Sequence, residues 1–146
     1  MIYLGADHRG YHLKDKIKKW LSGLGFQVED LGNYDYDEED DYPDFARGVA
    51  ERVSQNPQSD KGIVFCGSGV GVDIVANRFS GVRCGFVLNE RQIEMAARDD
   101  QINMLAVATD FTPTEELQRA ILTWLKTEAN QAERYVRRIR KIDTIR

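Results

Sequence analysis

The sequence predicts a doubly wound, Rossmann-like α/β/α sandwich with a five-stranded parallel sheet and a C-terminal helix. Three observations carry this expectation. Five short apolar runs alternate with segments whose apolar residues recur at helical spacing. The third run, residues 62–66, is continuously apolar, as a strand covered on both faces must be. A glycine-rich segment, residues 67–71, follows it directly, at a strand-to-helix turn where such sheets bind ligands.

The elements follow in order. Residues 2–7 form a short apolar run that ends in a polar residue, with Gly10 just beyond. Leu13, Ile17, Trp20, Leu21 and Leu24 then mark one face of a helix, with Gly25 as its cap. Residues 26–31 read as the second strand. The acidic stretch containing Pro43 reads as a loop, because proline and dense like charge both oppose regular structure. Asp44 is placed to cap a helix that presents Phe45, Val49 and Val53. Lys61 opens the third strand. A helix over 72–79, a strand over 82–88, a helix over 90–98 and a strand over 104–108 follow. Thr112, Pro113 and Thr114 start a long helix whose buried stripe is Leu117, Ile121, Leu122 and Leu125. A last helix spans 131–142. Residues 1–146 are read as one domain, with 130–146 as a basic helix and tail.

Composition narrows the function classes. A chain of 146 residues with net charge -4 lacks the basic surface a nucleic-acid binder needs. No run has the length of a membrane span, and the first ten residues lack the basic leader and apolar core of a signal peptide. A cytoplasmic location follows, with Cys66 and Cys84 as reduced thiols. Seven of the ten residues from 35 to 44 are acidic, and six of the thirteen from 134 to 146 are basic. Either run serves as solvated surface or as a binding patch.

Cys66-Gly67-Ser68-Gly69-Val70-Gly71 holds the strongest chemistry. Glycines let backbone N–H groups approach a ligand, and a helix start favours negative charge, hence a thiolate. A thiolate base beside oxyanion-stabilising amides suits proton abstraction next to a carbonyl. A buried core thiol above a tight turn explains the same letters. Cys84, inside an apolar strand, reads as core. Asp7, His8 and Arg9 at the first strand end are equipped to orient sugar hydroxyls or a phosphate, or simply to form a loop with a capping aspartate. His12 reads as a surface residue. Arg134 and Arg138, four apart, share a helical face suited to a phosphate or to plain solvent.

Taken together these segments resemble the type B ribose-5-phosphate isomerases and the related galactose-6-phosphate isomerase subunits. The likeness runs along nearly the whole chain. It rests on Asp7-His8-Arg9-Gly10 with Leu13-Lys14, Asp41-Tyr42-Pro43-Asp44, the Cys66–Gly71 loop with Ala76-Asn77, Gly81-Val82-Arg83, Asn103, and Arg134 with Arg138. The resemblance implies an aldose–ketose isomerase in which Cys66 moves a proton through an enediolate. It makes Gly67, Ser68, Gly69 and Gly71 an anion cradle, with Ser68 counted among the catalytic residues. Asp7, His8, Asp41, Tyr42 and Asn77 become sugar contacts, and Arg134 and Arg138 phosphate ligands. It implies no metal or organic cofactor. It also implies a homodimer or tetramer with sites shared between subunits, the basic tail touching a partner.

Three departures qualify the substrate. Asp99 stands where ring-opening relatives place a histidine, Asp110 where they place a phosphate-contacting arginine, and Tyr135 where they place a second histidine. Asp99 is taken as the catalytic counterpart of that histidine, or as a solvent-facing residue. The expected substrate is ribose 5-phosphate or a related sugar, with an open-chain four-carbon sugar phosphate as the simplest fit to Asp99. A non-catalytic sugar-phosphate binder, or a subunit that needs a different partner chain, is the alternative.

Overall fold

The structure is a computed structural model that describes residues 1–145. Its elements run β1 (Ile2–Ala6), α1 (Tyr11–Gly23), β2 (Val28–Asp30), α2 (Tyr42–Gln55), β3 (Lys61–Cys66), α3 (Val70–Ala76), β4 (Cys84–Phe86), α4 (Glu90–Asp99), β5 (Met104–Ala108), α5 (Thr114–Lys126) and α6 (Glu133–Asp143). All strand pairs are parallel, in the order β2-β1-β3-β5-β4. The expected α/β sandwich is the observed one.

Strand alternation divides the core into two layers. Leu4, Ala6, Ile63, Phe65, Leu105 and Val107 face α1, α4 and α5, while Tyr3, Val64, Cys66, Met104 and Ala106 face α2 and α3. Burying each large aliphatic side chain contributes roughly 1.5–3 kcal/mol relative to exposure. The α5 stripe is rotated from the expected one. Trp124 and Ala120 complete it in place of Leu122 and Leu125, because the indole N–H reaches the Ile102 carbonyl at 2.9 Å.

Three boundaries differ from expectation. Helix α2 begins at Tyr42 with Asp41 before it, so Pro43 lies in the first turn. Proline is at home there, since first-turn N–H groups have no partner inside the helix. Helix α3 covers 70–76, shorter than expected and earlier, because Gly69 turns the chain as soon as β3 ends. Strand β4 has three residues and forms the sheet edge, which leaves Cys84 half-buried instead of in the core. Among the described residues no helix is long and apolar enough to cross a membrane.

The strand order reverses between β1 and β3. Their carboxyl ends splay the following segments apart and open a crevice. Asp7-His8-Arg9 leaves one side of it and Cys66-Gly67 the other.

Candidate active site

Cys66 ends β3 on the α2/α3 face, 5% exposed, and its Sγ accepts the Gly69 N–H at 3.2 Å. A backbone donor aimed at sulfur is what a sulfur bearing negative charge requires. The turn that delivers it needs glycine. Gly69 has φ +75, and a Cβ there would meet Phe86 at 2.7 Å and the Ala108 nitrogen at 2.8 Å. Gly71 is fixed by crowding: a Cβ would lie 2.6 Å from the Tyr42 ring. Tyr42 therefore covers the glycine loop from the start of α2. Ser68 is exposed, and its Oγ accepts from the Val70 N–H at 3.4 Å.

His8 faces this loop from β1. Asp40 Oδ1 accepts the His8 backbone N–H at 3.0 Å and lies 2.7 Å from His8 Nδ1, while Asp40 Oδ2 accepts from Asn33 at 2.8 Å. Burial alone would raise the Asp40 carboxyl, but these donors outweigh it and hold it below its usual range. The same hydrogen bond raises His8, favouring an imidazolium, and leaves Nε2 for a ligand. Asp40 and Asn33 were not singled out in the sequence. One acid among seven in a run carries no mark of its own. Lys14, 2% exposed, braces the loop by donating to Asp30 and the Asn33 carbonyl, both at 2.6 Å.

Asp7, the expected sugar contact, has a local partner. It is 5% exposed, and its Oδ1 accepts the Gly10 N–H at 3.0 Å, so it closes the turn before α1. Burial raises its carboxyl. Exposed Asn77 likewise has local partners: its amide bridges Asp73 to the Cys84 backbone, accepting from Cys84 N–H at 2.9 Å. Asp41 is exposed at the head of α2, beside Tyr42.

Asp110 closes the crevice. Thr109 and Asp110 donate their backbone N–H groups to Cys66 and Gly67 at 2.9 and 3.1 Å, which clamps this segment across the loop. The Asp110 carboxylate pairs with Arg9 directly over Gly67, whose Cβ, were there one, would lie 3.1 Å from Asp110 and 3.3 Å from Arg9. The Arg9 guanidinium beside the glycine loop is thus neutralised. The buried Thr109 hydroxyl has no partner among the described residues.

The remaining predicted residues lie elsewhere. Helix α4 runs back from the end of β4 to the start of β5, so Asp99 sits at the amino end of the sheet. The length of β3, roughly 17 Å at ~3.3 Å per residue, separates that end from Cys66. Asp99 accepts two bonds from Arg98 at 2.8 and 3.0 Å, which hold its carboxyl below the usual range; Arg134 nearby adds to this. Arg134 and Arg138 flank the Tyr135 ring at 4.8 and 5.5 Å. Helix α6 is tied to this end by Asp143 on Arg83 at 2.9 Å, and Asn130 by its N–H on the Arg98 carbonyl. No single chain brings Cys66 together with Asp99, Arg134 or Arg138. Among the described residues, no group of three or more His, Cys, Asp and Glu side chains is placed to hold a metal ion.

The family model described as Ribose/Galactose Isomerase matches residues 2–142. The probable ribose-5-phosphate isomerase B of Mycoplasma genitalium is 38% identical over 97% of this chain and 92% of its own. Ribose-5-phosphate isomerase B of Mycobacterium tuberculosis is 34% identical over 94% and 85%. The crystal structure of the Mycoplasma genitalium enzyme with bound ribulose-5-phosphate superposes with a TM-score of 0.93 over 97% of this chain and 93% of that one. The Thermotoga maritima ribose 5-phosphate isomerase gives 0.91 at 36% identity, over 99% and 97%. With its sheet order, its glycine turn after Cys66 and this likeness along nearly its whole length, the chain belongs to the Ribose/Galactose Isomerase family and is an aldose–ketose isomerase.

Proposed function

We propose that the protein interconverts the aldose and ketose forms of a small sugar phosphate, with Cys66 as the base, in a site completed by a second copy of the chain. The observation that carries this is Cys66 Sγ at the crevice floor, held by the Gly69 N–H. The thiolate takes a proton from the carbon next to the carbonyl. The electron pair moves into an enediolate, and the same proton returns to the neighbouring carbon as a proton shifts between the two oxygens. Loop amides stabilise the charge on oxygen, and His8 Nε2 donates to a substrate hydroxyl or the carbonyl. Sugar-phosphate relatives, including one whose crystal structure holds ribulose-5-phosphate, support the substrate class.

The separation of the two residue groups supports the shared site. In a two-fold dimer, the amino-end arginines of one subunit are free to face the partner's crevice. Substrate length follows from Asp99. Held ionised by Arg98, it does not donate a proton to a ring oxygen near neutral pH. An open-chain substrate, such as a four-carbon sugar phosphate, needs no such donor.

Two measurements test this reading. Cys66→Ala is expected to lose at least ~10²–10⁴-fold in kcat with an unchanged melting temperature, whereas Cys84→Ala keeps activity. Activity surviving in Cys66→Ala removes the thiol from the reaction. In the parent protein, kcat/KM is expected to be higher for four-carbon than for five-carbon sugar phosphates. Equal values contradict the open-chain assignment.

A further inference from the structure

A second polar cavity of about 270 Å³ lies at the amino end of the sheet, lined among others by Gln58, Lys61, Arg83, Gln101, Trp124 and Gln131. Its charge is unusual. Lys61, half-buried at the start of β3, rests its ammonium 4.9 Å from the centre of the Trp124 ring and meets no carboxylate among the described residues. The neighbouring acid is turned away: Asp60 accepts from the Tyr3 hydroxyl at 3.4 Å. Arg83 is 7% exposed. Its Nε donates to the Gln101 carbonyl at 3.1 Å and its Nη1 to Asp143 at 2.9 Å. Two cations therefore line a cavity with no carboxylate in its lining among the described residues; Asp143, which pairs with Arg83, lies outside that lining.

Desolvating an ammonium beside a guanidinium is unfavourable unless an anion joins them. Burial, and then the Arg83 charge, push Lys61 below its ordinary pKa, the sign of a cation lacking its counter-charge. The aromatic floor compensates in part. Gln101 is held at φ 51 with its carbonyl on Arg83, which fixes the guanidinium in place.

We infer that this cavity binds a small oxyanion, a phosphate group, between Lys61 and Arg83 with the glutamine amides as further donors. The site is separate from Cys66 and stands whether or not the isomerase assignment does. Two sources offer the group: free inorganic phosphate and the phosphate of a sugar phosphate.

Trp124 reports on it. In a Trp20→Phe protein, Trp124 is the only tryptophan, and an anion drawn to Lys61 changes the field at its ring. Titration with inorganic phosphate is expected to give a saturable change in Trp124 emission. Lys61→Gln should weaken it at least about tenfold, the loss of one charge-assisted partner, while Lys61→Arg retains it. Ribose 5-phosphate titrated into Cys66→Ala separates the sources: tighter Lys61-dependent binding than inorganic phosphate assigns the cavity to an organic phosphate, and equal or weaker binding to the free ion. No saturable change in the parent, or equal affinity in parent and a folded Lys61→Gln protein, overturns the inference.

Discussion

The two ends of the sheet differ in the charge they leave unmatched: the amino end has the Arg83–Asp143 and Arg98–Asp99 pairs but also, among the described residues, two arginines with no acid. At the carboxyl end every basic group beside the crevice is matched with an acid: His8 with Asp40, Arg9 with Asp110, Lys14 with Asp30. At the amino end Arg134 and Arg138 lean on an aromatic ring, and among the described residues neither makes an ion pair. A matched pair recognises hydroxyls, because a carboxylate accepts while a guanidinium or imidazolium donates. Unmatched guanidinium groups suit a dianion. The difference supports the proposal of a shared site, in which a phosphorylated sugar would lie across two chains, its carbonyl and hydroxyls over Cys66 and its phosphate on the partner's α6.

The largest effect should come from the unmatched end. Arg138→Ala is expected to raise KM for a phosphorylated sugar about tenfold to a hundredfold, from the loss of roughly 1.5–3 kcal/mol, and to leave the unphosphorylated analogue nearly unchanged. Steady-state kinetics on both substrates check it; equal changes would make α6 plain surface.

A smaller effect tests the matched end. Asp110→Asn frees Arg9 above Gly67 and should lower KM for the phosphorylated sugar, by up to about fivefold, since partly exposed pairs are worth ~1 kcal/mol or less. An increase in KM instead would show the carboxylate holding the substrate.

Much of this was legible in the sequence, for identifiable reasons. The continuous apolar runs at 62–66 and 104–108, helical spacing in α1 and the glycine turn all arise from local stereochemistry, which a linear string records. The α2 start was obscured because Pro43 breaks a helix in its interior yet suits its first turn. Asp40 and the Arg9–Asp110 pair were hidden because they join residues 32 and 101 positions apart. For Asp7 and Asn77, sugar contacts by resemblance, the letters name a functional group without showing the backbone partners that it also holds. Asp99 was counted as catalytic by resemblance, in sites shared between subunits; that parallel topology puts the end of α4 on the far side of the sheet from Cys66 of the same chain needed the fold.

A subtler prediction concerns pH. Asp40 raises His8, so the His8 ring titration followed by NMR should lie above ~6.5 and return toward it in Asp40→Asn. The stability difference between the two proteins has a defined window. The raised His8 contributes below its unfolded value and loses its contribution as pH rises through the folded one. The lowered Asp40 carboxyl contributes above ~3.9 and loses its contribution as pH falls through its folded value. The melting-temperature difference should therefore be widest between the two unfolded values, ~3.9 and ~6.5, and shrink as pH passes outward through the folded ones. A difference independent of pH would remove this pair from the account.

Subunit complementation tests the shared site most directly. Cys66→Ala and the double variant Arg134→Ala with Arg138→Ala are each prepared alone, then mixed after reversible dissociation and assayed at low substrate. In a mixed dimer one crevice unites an intact Cys66 with the partner's intact arginines, and the other carries both defects. Random pairing makes half the dimers mixed with one good site each, so about a quarter of the parent activity is expected to return. If the mixture stays at the sum of its two inactive parts although exchange has occurred, all these residues serve within one chain and the two-ended site is wrong.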